Sequence, residues 1–183
     1  MVSKKFKDNI FKLQTRKFGT VGELIFEKIL VDGGFIVDKS KNISYDRLIN
    51  NEQDEIKCSR VLANSRLKID ISNIIEVIEN YDSKTNINFE NCEEYKWDCN
   101  IQQIKFECFE TLWYSLFFDD KVAFFRIEKN KIIEDKNIAY SDKQHRGNKG
   151  EGQFHVTNKN IKHHIDNYLV IVLTYDEIYN KLK

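Results

Sequence analysis

The segment that most restricts the fold runs from Ile43 to Ser59. Ile43–Ile49 and Gln53–Ser59 both alternate apolar and polar side chains, as half-buried strands do, with Asn50-Asn51 between them. Asparagine tolerates the left-handed backbone that a two-residue hairpin turn demands, so the sequence predicts an antiparallel hairpin. With those residues as the turn, the partner of Asp46 is Glu55, and directly opposed residues place their Cβ atoms roughly 4.5–5.5 Å apart. Period two adds Lys57 to the same face. Ile43, Tyr45, Ile56 and Cys58 fall on the other face, which suits packing under a helix.

Two opposed carboxylates destabilise a sheet unless a positive group neutralises them. One solution is a solvated cluster in which Lys57 compensates Asp46 and Glu55. The other is a hard divalent cation. Mg²⁺ is usually held by one or two carboxylates, with waters and phosphate oxygens completing its shell. A metal-held phosphate beside a lysine that orients or deprotonates water, or stabilises phosphoryl charge, makes a phosphodiester hydrolysis site.

The flanking sequence predicts a helix over Thr20–Val31, where Val21, Leu24, Ile25, Phe26, Ile29 and Leu30 form a broad apolar stripe. Thr20 and Glu23 match a capping box, and Gly33-Gly34 supplies the stop. Phe35–Lys39 reads as a short strand. Ile71, Ile74, Ile75 and Ile78 mark a second helix capped by Asp70 or Ser72. Trp97–Lys105 predicts a strand, and Thr111–Phe118 and Val122–Ile127 predict a hairpin turning at Asp119-Asp120. Phe154–Val156 and Tyr168–Leu173 are further strands, and Asn160–Asp166 and Tyr175–Leu182 further helices. The expected fold class is α/β or α+β, a central mixed β-sheet flanked by helices, in one domain over residues 1–183.

Several residues here carry a family resemblance. Tyr45-Asp46 followed by Glu55-Ile56-Lys57 is similar to the PD-(D/E)XK nuclease motif, with tyrosine in place of its proline. Gly22-Glu23, Gly33-Gly34-Phe35 and Cys58-Ser59-Arg60 keep the order of elements in that superfamily, and the chain resembles its bacterial type II restriction endonucleases. The resemblance covers about residues 19–60 and extends more loosely over 97–127. It implies a restriction-endonuclease-like core in which Asp46, Glu55 and the Ile56 carbonyl bind Mg²⁺ and Lys57 positions the attacking water. Glu23 matches the helix carboxylate that supports the metal, and it serves equally as the capping partner of Thr20. Gln102 or Gln103, on a neighbouring strand, is placed to support the site. The implied products are a 5′-phosphate and a 3′-hydroxyl.

Charge fits a polyanion partner once it is taken by segment. The chain has 29 basic and 29 acidic residues. Residues 1–20 carry a net +5, 21–70 −1, 71–120 −8 and 121–183 +4. Lys4, Lys5, Lys7, Lys12, Arg16 and Lys17 suit phosphate contacts, as do Arg60 and Arg66 beside the acids. In the loop Lys143-Gln144-His145-Arg146-Gly147-Asn148-Lys149, Gln, Arg and Asn are the side chains that read adenine and guanine edges, with Arg146 the expected guanine contact.

Other chemistries lack their patterns. The interval between His145 and Asn148 is too short for an H-N-H nuclease unit. His163-His164 point about 100° apart on a helix, share no metal well, and are expected at the surface. Cys58, Cys92, Cys99 and Cys108 lack zinc-ligand spacing and any C-x-x-C pair, which fits reduced thiols in a cytoplasmic protein. No P-loop or dinucleotide fingerprint implies an organic cofactor. The Lys-rich N-terminus has no apolar signal region, and no run reaches the length of a membrane span. The expectation is therefore a Mg²⁺-dependent, sequence-specific endonuclease for double-stranded DNA, acting as a homodimer because two strands are cut symmetrically. The alternatives are a structure-selective nuclease, such as a junction resolvase or repair enzyme, and a non-catalytic DNA-binding module.

Overall fold

Two helices, α1 (Val2–Lys12) and α2 (Thr15–Asp32), open the chain in the computed structural model, which describes residues 2–40, 44–63, 70–79, 86–143 and 150–183. No helix was expected before Thr20. α1 docks through Phe6 and Ile10, spaced one turn apart, and its Lys7 pairs with Asp119 at 2.8 Å. α2 starts five residues earlier than its capping-box pattern predicts. Gln14 is the N-cap and makes no side-chain cap bond, while Thr20 Oγ1 donates to the Arg16 carbonyl one turn back. Thr20 is thus an interior helical residue, and Glu23 is not its capping partner. The expected stop holds, with Gly33 donating its N–H to the Ile29 carbonyl and Gly34 at φ 89°.

Next come β1 (Val37–Lys39), β2 (Arg47–Ile49) and β3 (Glu52–Arg60). Asn50 and Asn51 take φ of 50° and 69°, the paired positive values of the expected hairpin turn. The register follows the predicted sum, with Ile49 opposite Glu52 and Arg47 opposite Asp54. It stops one step short of Asp46 and Glu55. The Asp46 N–H instead donates to the Asp54 carbonyl, so β2 is shorter than the predicted Ile43–Ile49. Ile43 lies outside the described residues.

The remaining elements are α3 (Ile74–Glu79), β4 (Asp98–Ile104), β5 (Thr111–Phe117), β6 (Lys121–Glu128), α4 (Lys129–Glu134), β7 (Gly152–Thr157), α5 (Ile161–Tyr168), β8 (Leu169–Thr174) and α6 (Tyr175–Leu182). A six-stranded mixed sheet runs β1-β2-β3-β5-β6-β8, with β3 and β5 parallel and the other neighbours antiparallel. β4 is not one of its strands, although the looser resemblance over 97–127 sets it among the later strands of a restriction-endonuclease-like core. It pairs with β7 in a separate two-stranded ribbon.

Two cores cover the two sheet faces. β5 alternates between them: Trp113 and Phe117 join Phe18, Ile25, Phe26 and Ile56 under α1, α2 and α6. Tyr114 and Leu116 join Trp97, Ile101, Phe154 and Ile161 under the ribbon and α5. His164, expected at the surface, is 0% exposed and shares a 2.6 Å hydrogen bond with the Tyr114 hydroxyl, while neighbouring His163 turns outward to Asp135. The isoleucines of the second predicted helix, Ile71, Ile74, Ile75 and Ile78, are exposed and belong to neither core. No described helix is long and apolar enough to cross a membrane.

Candidate active site

β2 begins only at Arg47, so among the described residues β3 has no strand neighbour on that side from Glu55 onward, and the predicted acids gather at that open edge. The Asp46 carboxylate fills the gap, its Oδ2 accepting the Ile56 N–H at 3.0 Å. In an extended strand the N–H and C=O of one residue point to the same edge, so the Ile56 carbonyl faces this side as well. Lys57 reaches both acids. Its ammonium lies 3.1 Å from Asp46 Oδ2 and 2.5 Å from Glu55 Oε1.

Glu55 is 2% exposed, and its second oxygen, Oε2, is buried with no hydrogen-bond partner. Burial raises its pKa to about 7, against the lowering effect of Lys57. Burial pulls the Lys57 pKa down, but Glu55 and then Asp46 push it up further, so the group is an ammonium at neutral pH. Glu23, half-buried on α2, has a raised pKa from burial and from the charge of Asp46. It therefore sits in the field of the same acids and of Lys57. Arg47 is engaged elsewhere, with Nε on Glu27 and Nη1 on the Asp46 carbonyl.

α2 comes this close to β3 because Gly22 has no side chain. A Cβ there would meet Cys58 Sγ at 2.3 Å and Cys58 Cβ at 2.9 Å. Cys58 thus packs against the helix, as its place on the apolar face predicts. Glu23, the next residue, is carried to the edge of the sheet.

A cleft of about 700 Å³ opens beside this group. Glu23 and Arg16 of α2 line one wall, Lys57, Ser59 and Arg60 the floor, and Asn100, Gln102 and Gln103 of β4 the far wall. Both glutamines singled out from the sequence thus border the predicted site. Asn100 was missed, although it alternates with buried Cys99 and Ile101 and period two marks it as a neighbour of Gln102. The buried acid Asp54 was also missed. It lies on the opposite face of β3, where Trp113 Nε1 donates to it at 2.7 Å, and burial raises its pKa to about 6.

The expected nucleic-acid contacts are only partly placed. Arg60 lines the cleft, but it donates to the Phe11 carbonyl and lies over the Phe18 ring. Arg16 is exposed there, as are Lys12 and Lys17 nearby in sequence, whereas Lys7 is paired with Asp119. Lys143 is exposed. Arg66, Gln144, His145, Arg146, Asn148 and Lys149 lie outside the described residues.

The donor set fits a hard divalent cation. Asp46 and Glu55 share the Lys57 ammonium, Glu23 lies in the field of Asp46 and Lys57, and Glu55 Oε2 is left without a partner. Among the described residues, no three His, Cys, Asp or Glu groups form a preassembled metal cage. Mg²⁺ does not require one, since one or two carboxylates and waters suffice. No protein-family model, curated protein or solved structure matches this chain.

Proposed function

We propose that the protein is a Mg²⁺-dependent endonuclease for double-stranded DNA with a restriction-endonuclease-like core. The observation that carries this reading is the contact of one ammonium, Lys57, with both Asp46 and buried Glu55 at an open strand edge facing a cleft. Sequence-specific, type II restriction cleavage by a homodimer is its fullest form, because a symmetric dimer presents one such site to each strand.

Asp46, Glu55 and the Ile56 carbonyl would hold Mg²⁺, which would supply neutralisation of phosphate charge and a more acidic water. Lys57, protonated at neutral pH, donates hydrogen bonds and does not accept a proton; it orients the attacking water or holds a phosphoryl oxygen. Water oxygen attacks phosphorus, the bond to the 3′-oxygen breaks, and that oxygen leaves with a proton, giving a 5′-phosphate and a 3′-hydroxyl. Glu23 adds negative charge from α2 and strengthens cation binding. Arg16 and exposed Lys12 and Lys17 hold backbone phosphates.

Incubation with plasmid DNA in Mg²⁺ and in EDTA tests this. Discrete fragments formed only with Mg²⁺ are expected. Cutting confined to branched DNA would move the reading to a structure-selective nuclease. Binding without cutting under any divalent metal would leave a non-catalytic module. The mass of the protein in solution checks the dimer.

A further inference from the structure

β4 departs from strand geometry where it borders the cleft. Its register against β7 shifts between Gln102 and Ile104, and Gln103 sits in the left-handed region at φ 61°. Residues three apart in an unbroken strand face opposite sides. Here Ile101 and Ile104 both enter the core, at 1% and 0% exposure. The extra residue of the bulge makes that possible, and it turns two consecutive glutamines to the exposed side, where both line the cleft with Lys57 and Glu23.

Glycine adopts this backbone without strain and glutamine does not, so a glutamine here keeps strain at a cleft wall for the sake of its side chain. A carboxamide offers one donor and one acceptor side by side, the complement of adenine N7 and N6 in the major groove. Asn100 is less suited to that task, because its Nδ2 donates to Gln153 Oε1 at 2.7 Å.

Resting on the nuclease reading, we propose that the Gln102-Gln103 bulge of β4 determines specificity by reading an adenine in a base pair beside the phosphate attacked at Lys57. The bulge supplies what a regular strand cannot: two neighbouring carboxamides on one wall of the cleft. The positive side chains at the cleft hold the phosphates and leave base reading to the amides.

The test is cleavage of linear DNA carrying a randomised window, with sequencing of the product ends, by the full chain and by Gln102→Ala and Gln103→Gly. Glycine takes φ 61° freely, so Gln103→Gly should melt no lower than the wild type, which separates base reading from a structural role. Wild-type ends should share a fixed A·T pair next to the cut. Discrimination at that pair alone should fall about 10- to 100-fold in the variants, the range of one bidentate base contact. An unchanged requirement in both variants, or wild-type ends with no fixed adenine, overturns the proposal and leaves the nuclease reading standing. Variants that bind DNA but cut no sequence place the glutamines in the chemistry and overturn it too. No metal-dependent cutting by the full chain removes the nuclease reading and this proposal together.

Discussion

Asp46 and Ile56 are joined side chain to main chain: the carboxylate accepts the Ile56 N–H at 3.0 Å, where a longer β2 would have offered a carbonyl. The acid is held by the edge of the strand whose next residue is Lys57, so its position and its charge are separable. Asp46→Asn keeps an oxygen acceptor for Ile56, and its stability should change by less than about 1 kcal/mol. Cleavage should fall at least about a hundredfold, because the charge that a cation needs is gone. Asp46→Ala should lose the same activity and about 1–2 kcal/mol of stability as well. Urea melts and plasmid cleavage measure both; an active Asp46→Asn protein would remove Asp46 from the site.

The ion pair between Lys57 and Glu55 predicts strong coupling. Lys57→Met leaves Glu55 buried without its cation, and breaking a buried pair costs about 3–5 kcal/mol. That loss should be largest near pH 8 and shrink as acid protonates Glu55. Adding Glu55→Gln should recover most of it. If the two substitutions are additive in a double-mutant cycle, the pair contributes nothing.

On the proposed reading, Glu55 also sets the pH dependence of Mg²⁺ binding. Its folded pKa, about 7, lies above the ordinary 4.5. The bound proton contributes stability that is complete below about pH 4.5 and is lost as pH rises through 7. A cation competes with that proton, so excess Mg²⁺ should raise the melting temperature more at pH 8 than at pH 5.5. Glu55→Gln should remove the difference. Equal shifts at both pH values would show that Glu55 is not a ligand.

Gly22 predicts a steric coupling across the site. Gly22→Ala forces α2 away from Cys58 and should cost about 1–3 kcal/mol, with a loss of cleavage as Glu23 moves. Cys58→Ala in the same chain should recover part of the stability, since the 2.3 Å contact with Sγ disappears and the 2.9 Å contact with Cβ stays. No recovery would mean that the clash lies elsewhere.

Thr20 and Glu23 separate capping from chemistry. Thr20 lies inside α2 and bonds to the preceding turn, so Thr20→Ala should change stability by less than about 0.5 kcal/mol. Glu23→Gln should slow cleavage at an unchanged helical content by circular dichroism. A Thr20→Ala protein weakened by about 1 kcal/mol would restore the cap.

The acids were legible because they lie within one hairpin. The Asn50-Asn51 turn and the alternation beside it bring Asp46, Glu55 and Lys57 together over a few residues of sequence. The start of α2 was not legible, because Gln14 provides no cap bond and the Thr20-x-x-Glu23 pattern imitates one. His164 was misplaced because its burial rests on Tyr114, fifty positions away. The pairing of β4 with β7 has no local signature either, and the bulge at Gln103 arises only from it. The sequence marked both glutamines as polar neighbours of the site but not the backbone turn that sets them on one wall of the cleft.

The single parallel pairing in the sheet, β3 with β5, has a kinetic consequence. A parallel neighbour cannot be reached through a tight turn, so the chain makes a long excursion between Arg60 and Thr111 and lays β4 down along the way. The β2–β3 hairpin closes a loop of two residues and can form early, whereas β5 and the ribbon wait for much longer loops to close. Loop length therefore predicts that Asp46, Glu55 and Lys57 come together in the fast part of folding, and that the wall carrying Gln102 and Gln103 follows, so that the acids assemble before the cleft.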